Sequence, residues 1–245
     1  MLEKKEEGLT GCVDTVTPGT GVLYGIGVGP GDPELLTLKA VRRMRECDIL
    51  MVPTADYQDS VAWQIAVRAV PELKEKACIG VTIPMVRDAS ARRAAHEAAA
   101  LRVTELLDQG MRVGFLNLGD VTLYASYLYI HRLVRAGGYR AELVNGIPSF
   151  CAAAAALGEG LAEGSDELHI LSQPGQVPEG LSFPGTKIVM KLGKHFPQVR
   201  EAIRAAGADA MLVENCGLPG ERLCRSLDEM EDEPGYYSLL IVKDR

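Results

Sequence analysis

The stretch LGDVTLY at residues 118–124 decides the fold, because an apolar strand breaks there into a Gly-Asp turn. A second loop, GIGVGPGDPELLT at residues 25–37, repeats the order of apolar strand, glycine-bearing turn and helix start. In an open α/β sheet such turns lie at the carboxyl ends of the strands, where ligands bind. The two loops therefore predict a ligand site along one edge of a sheet.

Outward from these loops, apolar strand segments alternate with helix-forming segments. Residues 22–144 are mainly strand–helix repeats, which predicts a largely parallel sheet. Residues 145–245 hold more strands per helix, which predicts a mixed sheet. We therefore expect two α/β domains that meet near Asn145. Residues 1–21 are charged and rich in Gly and Thr, without the apolar core of a signal peptide, and they predict a flexible tail.

Capping residues predict where the helices after the two loops begin. Asp32 is a good N-cap and Pro33 suits the first helical position, so we expect a helix that runs to Glu46. A second helix is expected from Thr122 to Arg135. The carboxylate just before that helix, at position 120, is then explained by a capping role as well as by a functional one.

Composition argues against several classes of function. The net charge of −7 and the sequence pI of about 5.2 argue against general binding to nucleic acid or to an anionic membrane. No apolar run approaches the roughly 18 residues of a membrane span. The six cysteines lack a CxxC pair and the four histidines lack ligand spacing, so we expect no protein-bound metal. Reduced cysteines packed as small apolar groups are typical of a cytoplasmic protein.

The glycine loop does not match the common nucleotide-binding fingerprints. A dinucleotide loop needs G-x-G-x-x-G directly after a strand. Starting from Gly25, the third glycine falls on Pro30, and starting from Gly27 it falls on Asp32. No Gly-Lys-Ser/Thr follows the loop either, as a P-loop requires. The spacing therefore argues against an NAD-linked reductase and against a P-loop nucleotidase.

Five stretches resemble the signature motifs of one family, the tetrapyrrole methylases that use S-adenosylmethionine (SAM). They are GPGDPELLTLKA (29–40), GDVTLY (119–124), VNGIPSFCAAAAALG (144–158), MKLGK (190–194) and VENCGLPGERL (213–223). Two departures are Val121 and Asn145, each in place of the family's proline. The combination of GDVTLY, YLYIHRLV and NGIPSF is most similar to the branch that methylates precorrin-2 at C-20 in cobalamin biosynthesis.

The resemblance implies an active site in the trough between the two domains, SAM as methyl donor, and a homodimer. Asp120 and Tyr124 are its candidates for a catalytic role: Asp120 would hold a ligand amine or accept a substrate proton, and Tyr124 would contact the ligand. Ordinary core packing explains Tyr124 equally well. Carried over motif by motif, the residues implied to bind SAM are Pro30, Leu118, Gly119, Asp120, Val121, Leu123, Ser149, Phe150, Leu192, Asn215 and Cys216.

The implied chemistry asks little of acid–base groups. The SAM sulfonium is an activated methyl donor, and an electron-rich tetrapyrrole carbon is a nucleophile. Alignment of the two in a dry site is then the main contribution of the protein, worth about 7–11 kcal/mol at its upper range. The lack of a His/Asp or Cys/His arrangement in the sequence therefore does not argue against an enzyme.

A tetrapyrrole of this kind carries many carboxylates, whereas the chain is acidic overall, so the substrate-binding face should be locally basic. Each basic candidate is equally explained as solvated surface. The helix start at Asp32 could also hold a carboxylate through free N–H groups. The candidates for substrate binding are Asp32, Lys187, Lys191 and Arg87, followed by Lys194, Arg92 and Arg93.

Two alternatives remain open from the sequence. The first stays within the family and changes the acceptor: uroporphyrinogen-III, a later corrin ring, or a protein in a diphthine-type reaction. The second is a non-enzymatic nucleotide-binding or regulatory α/β module, which predicts that SAM does not bind. A thermal-shift assay with SAM separates the second alternative from the first.

Overall fold

The computed structural model describes residues 21–84, 88–230 and 234–244. The tail predicted at residues 1–21 lies outside these ranges except for its last residue. Gly21 belongs to the folded unit, because it is buried and its backbone N–H donates to the Leu107 carbonyl at 2.8 Å. The first strand follows directly from this contact.

The first sheet has five parallel strands, in the order β3-β2-β4-β1-β5. Helices α1 and α2 pack on one face, around Met44 and Ile65, and α3 and α4 pack on the other, around Val103 and Tyr127. This arrangement confirms the predicted parallel α/β layer. The elements are β1 Val22–Gly27, α1 Leu38–Glu46, β2 Ile49–Val52, α2 Val61–Ala69, β3 Cys78–Gly80, α3 Ala89–Asp108, β4 Arg112–Asn117, α4 Tyr127–Ala136 and β5 Arg140–Val144.

The second sheet is mixed, as predicted, with the order β6-β7-β10-β8-β9. Helix α5 covers one face through Phe150, and α7 covers the other through Phe196. The domain boundary near Asn145 stays a prediction. The elements are α5 Ser149–Leu157, β6 Leu168–Leu171, α6 Val177–Gly180, β7 Thr186–Met190, α7 Phe196–Ala205, β8 Asp209–Glu214, β9 Arg222–Cys224 and β10 Ser238–Lys243.

The helix expected from Asp32 to Glu46 is two separate elements. Asp32 caps only a short 3₁₀ helix, Pro33–Leu35, because Leu36 adopts an extended backbone with φ −69° and ψ 133°. Thr37 then caps α1 anew, its hydroxyl accepting the Ala40 N–H at 3.1 Å. A second capping residue within the predicted helix therefore divides it.

The helix expected from Thr122 begins later, at Tyr127. Asp120 does cap the backbone, but at a turn, where its carboxylate accepts the Thr122 N–H at 2.8 Å. Residues 121–124 and Ser126 form turns and bends. The loop that follows β4 is thus longer than predicted, and more of it is available to line a site.

The parallel register brings three loops together. Ile26 of β1 pairs with Leu116 of β4 on one side and with Val144 of β5 on the other, so the three strands end at the same level. The loops after them therefore meet at the carboxyl edge of the sheet, where α/β folds bind ligands. Among the described residues, no helix combines the length and the apolar character needed to cross a membrane.

Candidate functional site

The loops after β1 and β4 are joined by a backbone bridge between Gly29 and Gly119. The Gly119 N–H donates to the Gly29 carbonyl at 2.8 Å, and the Gly29 N–H donates back at 3.2 Å. Gly119 needs a left-handed backbone, φ +72°, to turn out of the strand and make this pair. The bridge fixes the Gly-Asp turn against the glycine loop.

Asp120 joins the loop after β4 to the loop after β5. Its side chain is buried, and one carboxylate oxygen accepts both the backbone N–H and the hydroxyl of Thr122. The other oxygen accepts the Gly146 N–H at 2.9 Å and the Asn145 side-chain amide at 3.2 Å. Asn145, which replaces the family's proline, thus supplies one of the donors. Both oxygens are occupied by partners within the protein.

These partners also explain the ionisation of Asp120. Burial acts to raise the pKa of this carboxyl, but the hydrogen bonds from Thr122, Asn145 and Gly146 outweigh it and hold the pKa below its ordinary value. Asp120 is therefore a carboxylate at neutral pH. Its charge stabilises the loop junction, because each bond is charge-assisted.

The two domains are in close backbone contact where the glycine loop meets the loop after β8. A Cβ added at Gly31 would lie 2.2 Å from the Cys216 carbonyl oxygen and 2.7 Å from the Gly217 carbonyl carbon. Only a residue without a side chain permits this backbone contact. Gly31 therefore sets the distance between the domains beside the site.

Between the domains these loops enclose a cavity of about 250 Å³. It brings together eight of the residues predicted to bind SAM, and Tyr124 lines it as well. The predicted members of the lining are Pro30, Leu118, Gly119, Asp120, Leu123, Ser149, Phe150 and Cys216. Burial raises the pKa of the Cys216 thiol to about 11, so the sulfur contributes as a neutral, polarisable surface.

Three residues implied by the motifs do not line the cavity. Val121 is fully buried in the core between the first sheet and the α3–α4 pair, and Leu192 is fully buried in the core beneath α7. Asn215 bonds instead within its own loop, its side-chain amide donating to the Gly220 carbonyl at 3.3 Å. Chain neighbours of a lining residue point elsewhere, because side-chain direction changes at each step along the chain.

The lining also contains residues that the motif analysis missed. Pro148, Met190 and Val213 lie inside quoted motifs, next to predicted residues, and were within reach of that analysis. Tyr236 and Tyr237 precede β10 and carry no motif. The only signal for this last pair was two adjacent aromatic residues in a chain where aromatics make up 5%.

A larger cavity of about 1390 Å³ adjoins the first and shares Leu123, Tyr124 and Lys191 with it. We call this second cavity the trough. One wall is formed by α3 and α4, which contribute the side chains of Arg92, Arg93 and Arg132. Two of these three arginines were among the sequence candidates for substrate binding. The trough is therefore basic in an acidic protein.

Tyr124 and Lys191 meet at the boundary between the two cavities, one from each domain. The Lys191 ammonium lies 5.6 Å from the centre of the Tyr124 ring, within cation–π range. Both residues have a left-handed backbone, with φ +53° and +59°. Such strain in residues other than glycine concentrates at ligand sites.

The other predicted substrate residues are not gathered at the site. The assignment of Lys187 is wrong: its side chain is fully buried at the start of β7 and is ion-paired with Asp244. Asp32 lines neither cavity, and its carboxylate accepts the Glu34 N–H at 2.9 Å. Lys194 also lies outside both linings. Arg87 falls outside the described residues.

No group of three or more His, Cys, Asp or Glu within residues 21–84, 88–230 and 234–244 is arranged to hold a metal ion. The cysteines in these ranges are free thiols. The smaller cavity is thus built from backbone groups, apolar side chains and one satisfied carboxylate, and the trough adds a set of cationic side chains and Glu97.

The sequence is similar to those of several curated proteins named for cobalamin biosynthesis or for C(20)-methyl transfer. The chain is 35% identical to the cobalamin biosynthesis protein CobIJ of Mycobacterium tuberculosis over 91% of its length, but spans only 46% of that protein. It is 35% identical to a probable cobalt-precorrin-2 C(20)-methyltransferase of Methanocaldococcus jannaschii, covering 90% of the chain and 95% of the relative. The precorrin-2 C(20)-methyltransferase of a Sinorhizobium species is 31% identical, with 93% and 98% covered.

Solved structures share the fold. A cobalt precorrin-4 methyltransferase, CbiF, superposes with a TM-score of 0.70 at 18% identity, covering 91% of this chain and 94% of that one. The uroporphyrin-III C-methyltransferase of Thermus thermophilus, complexed with S-adenyl homocysteine, gives 0.63 at 20% identity, with 91% and 97% covered.

The family model of tetrapyrrole (corrin/porphyrin) methylases matches residues 22–230. This range contains both sheets up to β9 and all of the motifs that build the loop junction. The resemblance inferred from those motifs is confirmed. The chain belongs to the tetrapyrrole methylases.

Proposed function

We propose that the protein is a SAM-dependent C-methyltransferase that methylates C-20 of precorrin-2, or of its cobalt-loaded counterpart cobalt-factor II, in cobalamin biosynthesis. The observation that carries the proposal is the pair of adjoining cavities: a small one at the loop junction and a large basic one beside it. Two relatives of matching length bear C(20)-methyltransferase names, and this agreement supports the choice of acceptor.

The smaller cavity suits SAM through both its donors and its apolar surface. Helix α5 begins at its wall, and Pro148 at the N-cap position offers no side-chain acceptor. The backbone N–H groups of Ser149 and Phe150 have no hydrogen-bond partner among the described residues. A helix start of this kind suits a carboxylate such as that of the methionine part. Leu118 and Leu123 provide apolar surface for the adenosine part.

When bound, SAM supplies an activated methyl group on a positively charged sulfur. The protein's own contribution is then to hold donor and acceptor in line and to exclude water. Gly31 and Gly119 hold the loops close enough to form the cavity, and the tyrosines at positions 236 and 237 border it from the second domain. The sulfur–carbon bond breaks as the new carbon–carbon bond forms, and the hydrogen of the methylated ring carbon is then lost as a proton.

We propose Asp120 as a positioning residue. Its two oxygens already accept four hydrogen bonds from Thr122, Asn145 and Gly146, which leaves it poorly suited to take up a substrate proton. Its lowered pKa makes it a weak base for the same reason. The direct catalytic role predicted from the sequence is therefore the less favoured of its two interpretations.

Lys191 is proposed to hold a substrate carboxylate at the boundary between the two cavities. Its ammonium is exposed to the trough, and the Tyr124 ring beside it restricts where that charge can lie. Tyr124 in turn contacts both cavities, so it can pack against the donor and the acceptor at once. This pair would set the position of the ring carbon that receives the methyl group.

We further propose a homodimer in the cytoplasm. The dimer is supported by the family resemblance alone, and sedimentation equilibrium tests it directly. The cytoplasmic location is supported by the free thiols, of which Cys47 and Cys224 are buried as small apolar groups.

The proposed activity is tested by anaerobic incubation with SAM and enzymatically made precorrin-2, in parallel with cobalt-factor II, followed by mass spectrometry. We expect one added methyl group on one of the two rings, and the preferred ring identifies the pathway. An incubation without SAM is the control for methyl groups already present.

Failure of transfer to both rings, with SAM binding intact, would contradict the C-20 assignment. Uroporphyrinogen-III would then be tried next, because a uroporphyrinogen-III C-methyltransferase of Pseudomonas aeruginosa is 27% identical over 90% of the chain. Failure to bind SAM would contradict the methyltransferase proposal itself.

A further inference from the structure

Three guanidinium groups face the trough outside any ion pair, although the Asp88 carboxylate that caps α3 is close to Arg92. The hydrogen bonds within that cap lower the pKa of Asp88 most, and the Arg92 charge contributes to lowering it. Arg92 and Arg93 lie near the start of α3, and Arg132 lies on α4 beside it. All three side chains are exposed, and within the described part of the chain none of them makes an ion pair or a hydrogen bond. Glu97 is the one acidic residue among the described residues that line the trough.

Several arginines elsewhere on the surface are paired with carboxylates, whereas Arg68 on α2 is exposed and makes no ion pair among the described residues. Arg102, on the same helix as Arg92, bonds Glu105 at 2.8 Å, and Arg112 bonds Asp48 at 2.9 Å. The chain has 33 acidic residues against 26 basic ones, so partners for an arginine are abundant. The trough differs in that three arginines outside any ion pair lie together on one wall of a large cavity, and an anionic ligand would explain this grouping.

An aromatic stack braces this wall. The rings of His96 on α3 and Tyr129 on α4 are parallel, 4.7 Å apart with an angle of 6° between their planes. The Arg132 guanidinium carbon lies 5.9 Å from the centre of the Tyr129 ring. Because the stack joins the two helices, it fixes the separation of their arginines and reduces the entropy that Arg132 loses on binding.

We infer that Arg92, Arg93 and Arg132 bind the carboxylates of the macrocycle's side chains and select a polycarboxylate over a neutral ring of the same shape. The inference rests on the proposed function and adds which residues recognise the substrate. Lys191 adds a cation from the second domain, so the anionic edges of the ring would lie between the domains. The macrocycle would then meet the cofactor cavity at Tyr124.

The first test measures the steady-state methylation of precorrin-2 by Arg92→Gln, Arg93→Gln, Arg132→Gln and the triple variant. We expect KM to rise by about threefold to tenfold in each single variant and by at least about thirtyfold in the triple variant. Arg102→Gln is the matched control on α3, because its guanidinium is paired with Glu105 outside the trough. Affinity for SAM, measured by calorimetry, should stay within about twofold in every variant.

The second test does not depend on turnover. An octacarboxylate porphyrin and its octamethyl ester are titrated into wild type and the triple variant, and binding is followed by absorbance. Wild type should bind the acid at least about thirtyfold more tightly than the ester, and the triple variant should lose this preference. Binding of the acid should weaken with added salt more steeply in wild type, because screening acts on the exposed charges.

The two tests separate failure of the inference from failure of the proposed function. If wild type binds the porphyrin acid selectively but methylates neither precorrin ring, the role of the three arginines is supported and the C-20 assignment is contradicted. If the triple variant keeps the wild-type KM and the wild-type preference for the acid, the inference is overturned. A triple variant that loses SAM affinity as well would also overturn it, since the wall would then be acting through the fold.

Discussion

The two adjoining cavities differ in what they do with charge. The smaller one, of about 250 Å³, contains a single buried carboxylate, Asp120, whose hydrogen-bonding capacity is used up within the protein. The trough, of about 1390 Å³, presents unpaired guanidinium groups to open space. The carboxylate of the smaller cavity is therefore satisfied without a ligand, whereas the arginines of the trough remain available to bind an anion.

This difference teaches how one junction can serve two ligands. Where a ligand brings its own reactive group, the protein needs rigid, close-fitting backbone, and Gly31 and Gly119 supply it. Where a ligand is recognised by the carboxylates at its periphery, the protein needs cationic side chains that are free to bind them and are held in place by packed helices. Tyr124 and Lys191 are where the two requirements meet.

The largest effect is expected from adding a side chain at Gly31, where the two domains are in close backbone contact. In Gly31→Ala the new Cβ would overlap the Cys216 carbonyl, so the loops must separate and the smaller cavity must open. We expect a loss of at least about thirtyfold in SAM affinity and about 1–3 kcal/mol in the free energy of unfolding. Calorimetry and urea denaturation measure the two quantities.

Gly175→Ala is the control for this substitution. Gly175 is exposed, and no atom lies within 4 Å of a Cβ placed there. This variant should keep wild-type SAM affinity and stability. Equal behaviour of the two variants would show that the close contact at position 31 does not shape the cavity.

The next largest effect is expected at Asp120. Asp120→Ala leaves the Gly146 N–H and the Asn145 amide without their acceptor at the loop junction. This loss should cost about 2–3 kcal/mol of stability and about tenfold in SAM affinity. Asp56→Ala is the matched control, since Asp56 caps an exposed turn by accepting only the Gln58 N–H. If Asp120→Ala instead stops methylation while SAM affinity and stability stay at wild-type values, Asp120 is a catalytic residue and the positioning role is wrong.

The same residue predicts a dependence of stability on pH. Because its pKa is lowered in the folded protein, Asp120 stabilises the fold fully above the ordinary aspartate value of about 3.9. That contribution is lost as the pH falls below this value and through the folded pKa. In Asp120→Asn the stability should therefore vary less with pH on the acid side. Denaturation curves recorded across this range make the comparison, and parallel curves for the two proteins would contradict it.

A smaller, separable effect is expected at the boundary between the cavities. Lys191→Met keeps most of the unbranched side chain and removes its charge, so KM for the tetrapyrrole should rise by about threefold to tenfold while SAM affinity stays within about twofold. Lys194→Met, an exposed residue outside both linings, should leave both quantities unchanged. A change in SAM affinity alone would assign Lys191 to the smaller cavity.

The smallest effect on activity is expected from Lys187, which the structure removes from the site. Lys187→Met should leave both KM values within about twofold, because the ammonium is paired with Asp244 away from both cavities. Asp244→Asn should lower the free energy of unfolding by about 1–2 kcal/mol, because it leaves a buried cation without its counter-charge. A rise in KM for Lys187→Met would return this residue to the substrate face.

The sequence predicted the parts of this molecule that depend on local pattern. The strand–helix alternation was enough for a parallel sheet followed by a mixed one, and both are present. The family resemblance carried by the motifs implied eight residues that line the smaller cavity. The structure brings the motifs around Gly119 and Ser149 together because the strands before them end at one level. The helix after Asp32 was predicted as one piece because the second cap, Thr37, was not weighed against the first.

What the sequence did not predict depends on packing between distant segments. Leu192 lies beside the lining residues Met190 and Lys191, and only the fold shows that it points into the core. In the sequence Lys187 resembles the nearby Lys191 and Lys194, and only the fold places Asp244, 57 residues further along the chain, beside it. The tyrosines before β10 reach the cavity through the sheet order β7-β10-β8, which no motif encodes.

The central claim, two cavities for two ligands, is tested most directly by titrating SAM into protein already saturated with an octacarboxylate porphyrin. The account predicts that one SAM binds per chain with an affinity within about threefold of that for the porphyrin-free protein, because the two molecules meet at Tyr124 and Lys191 without overlapping. Loss of SAM binding in the presence of the porphyrin would mean that both compete for one cavity, and would contradict the account.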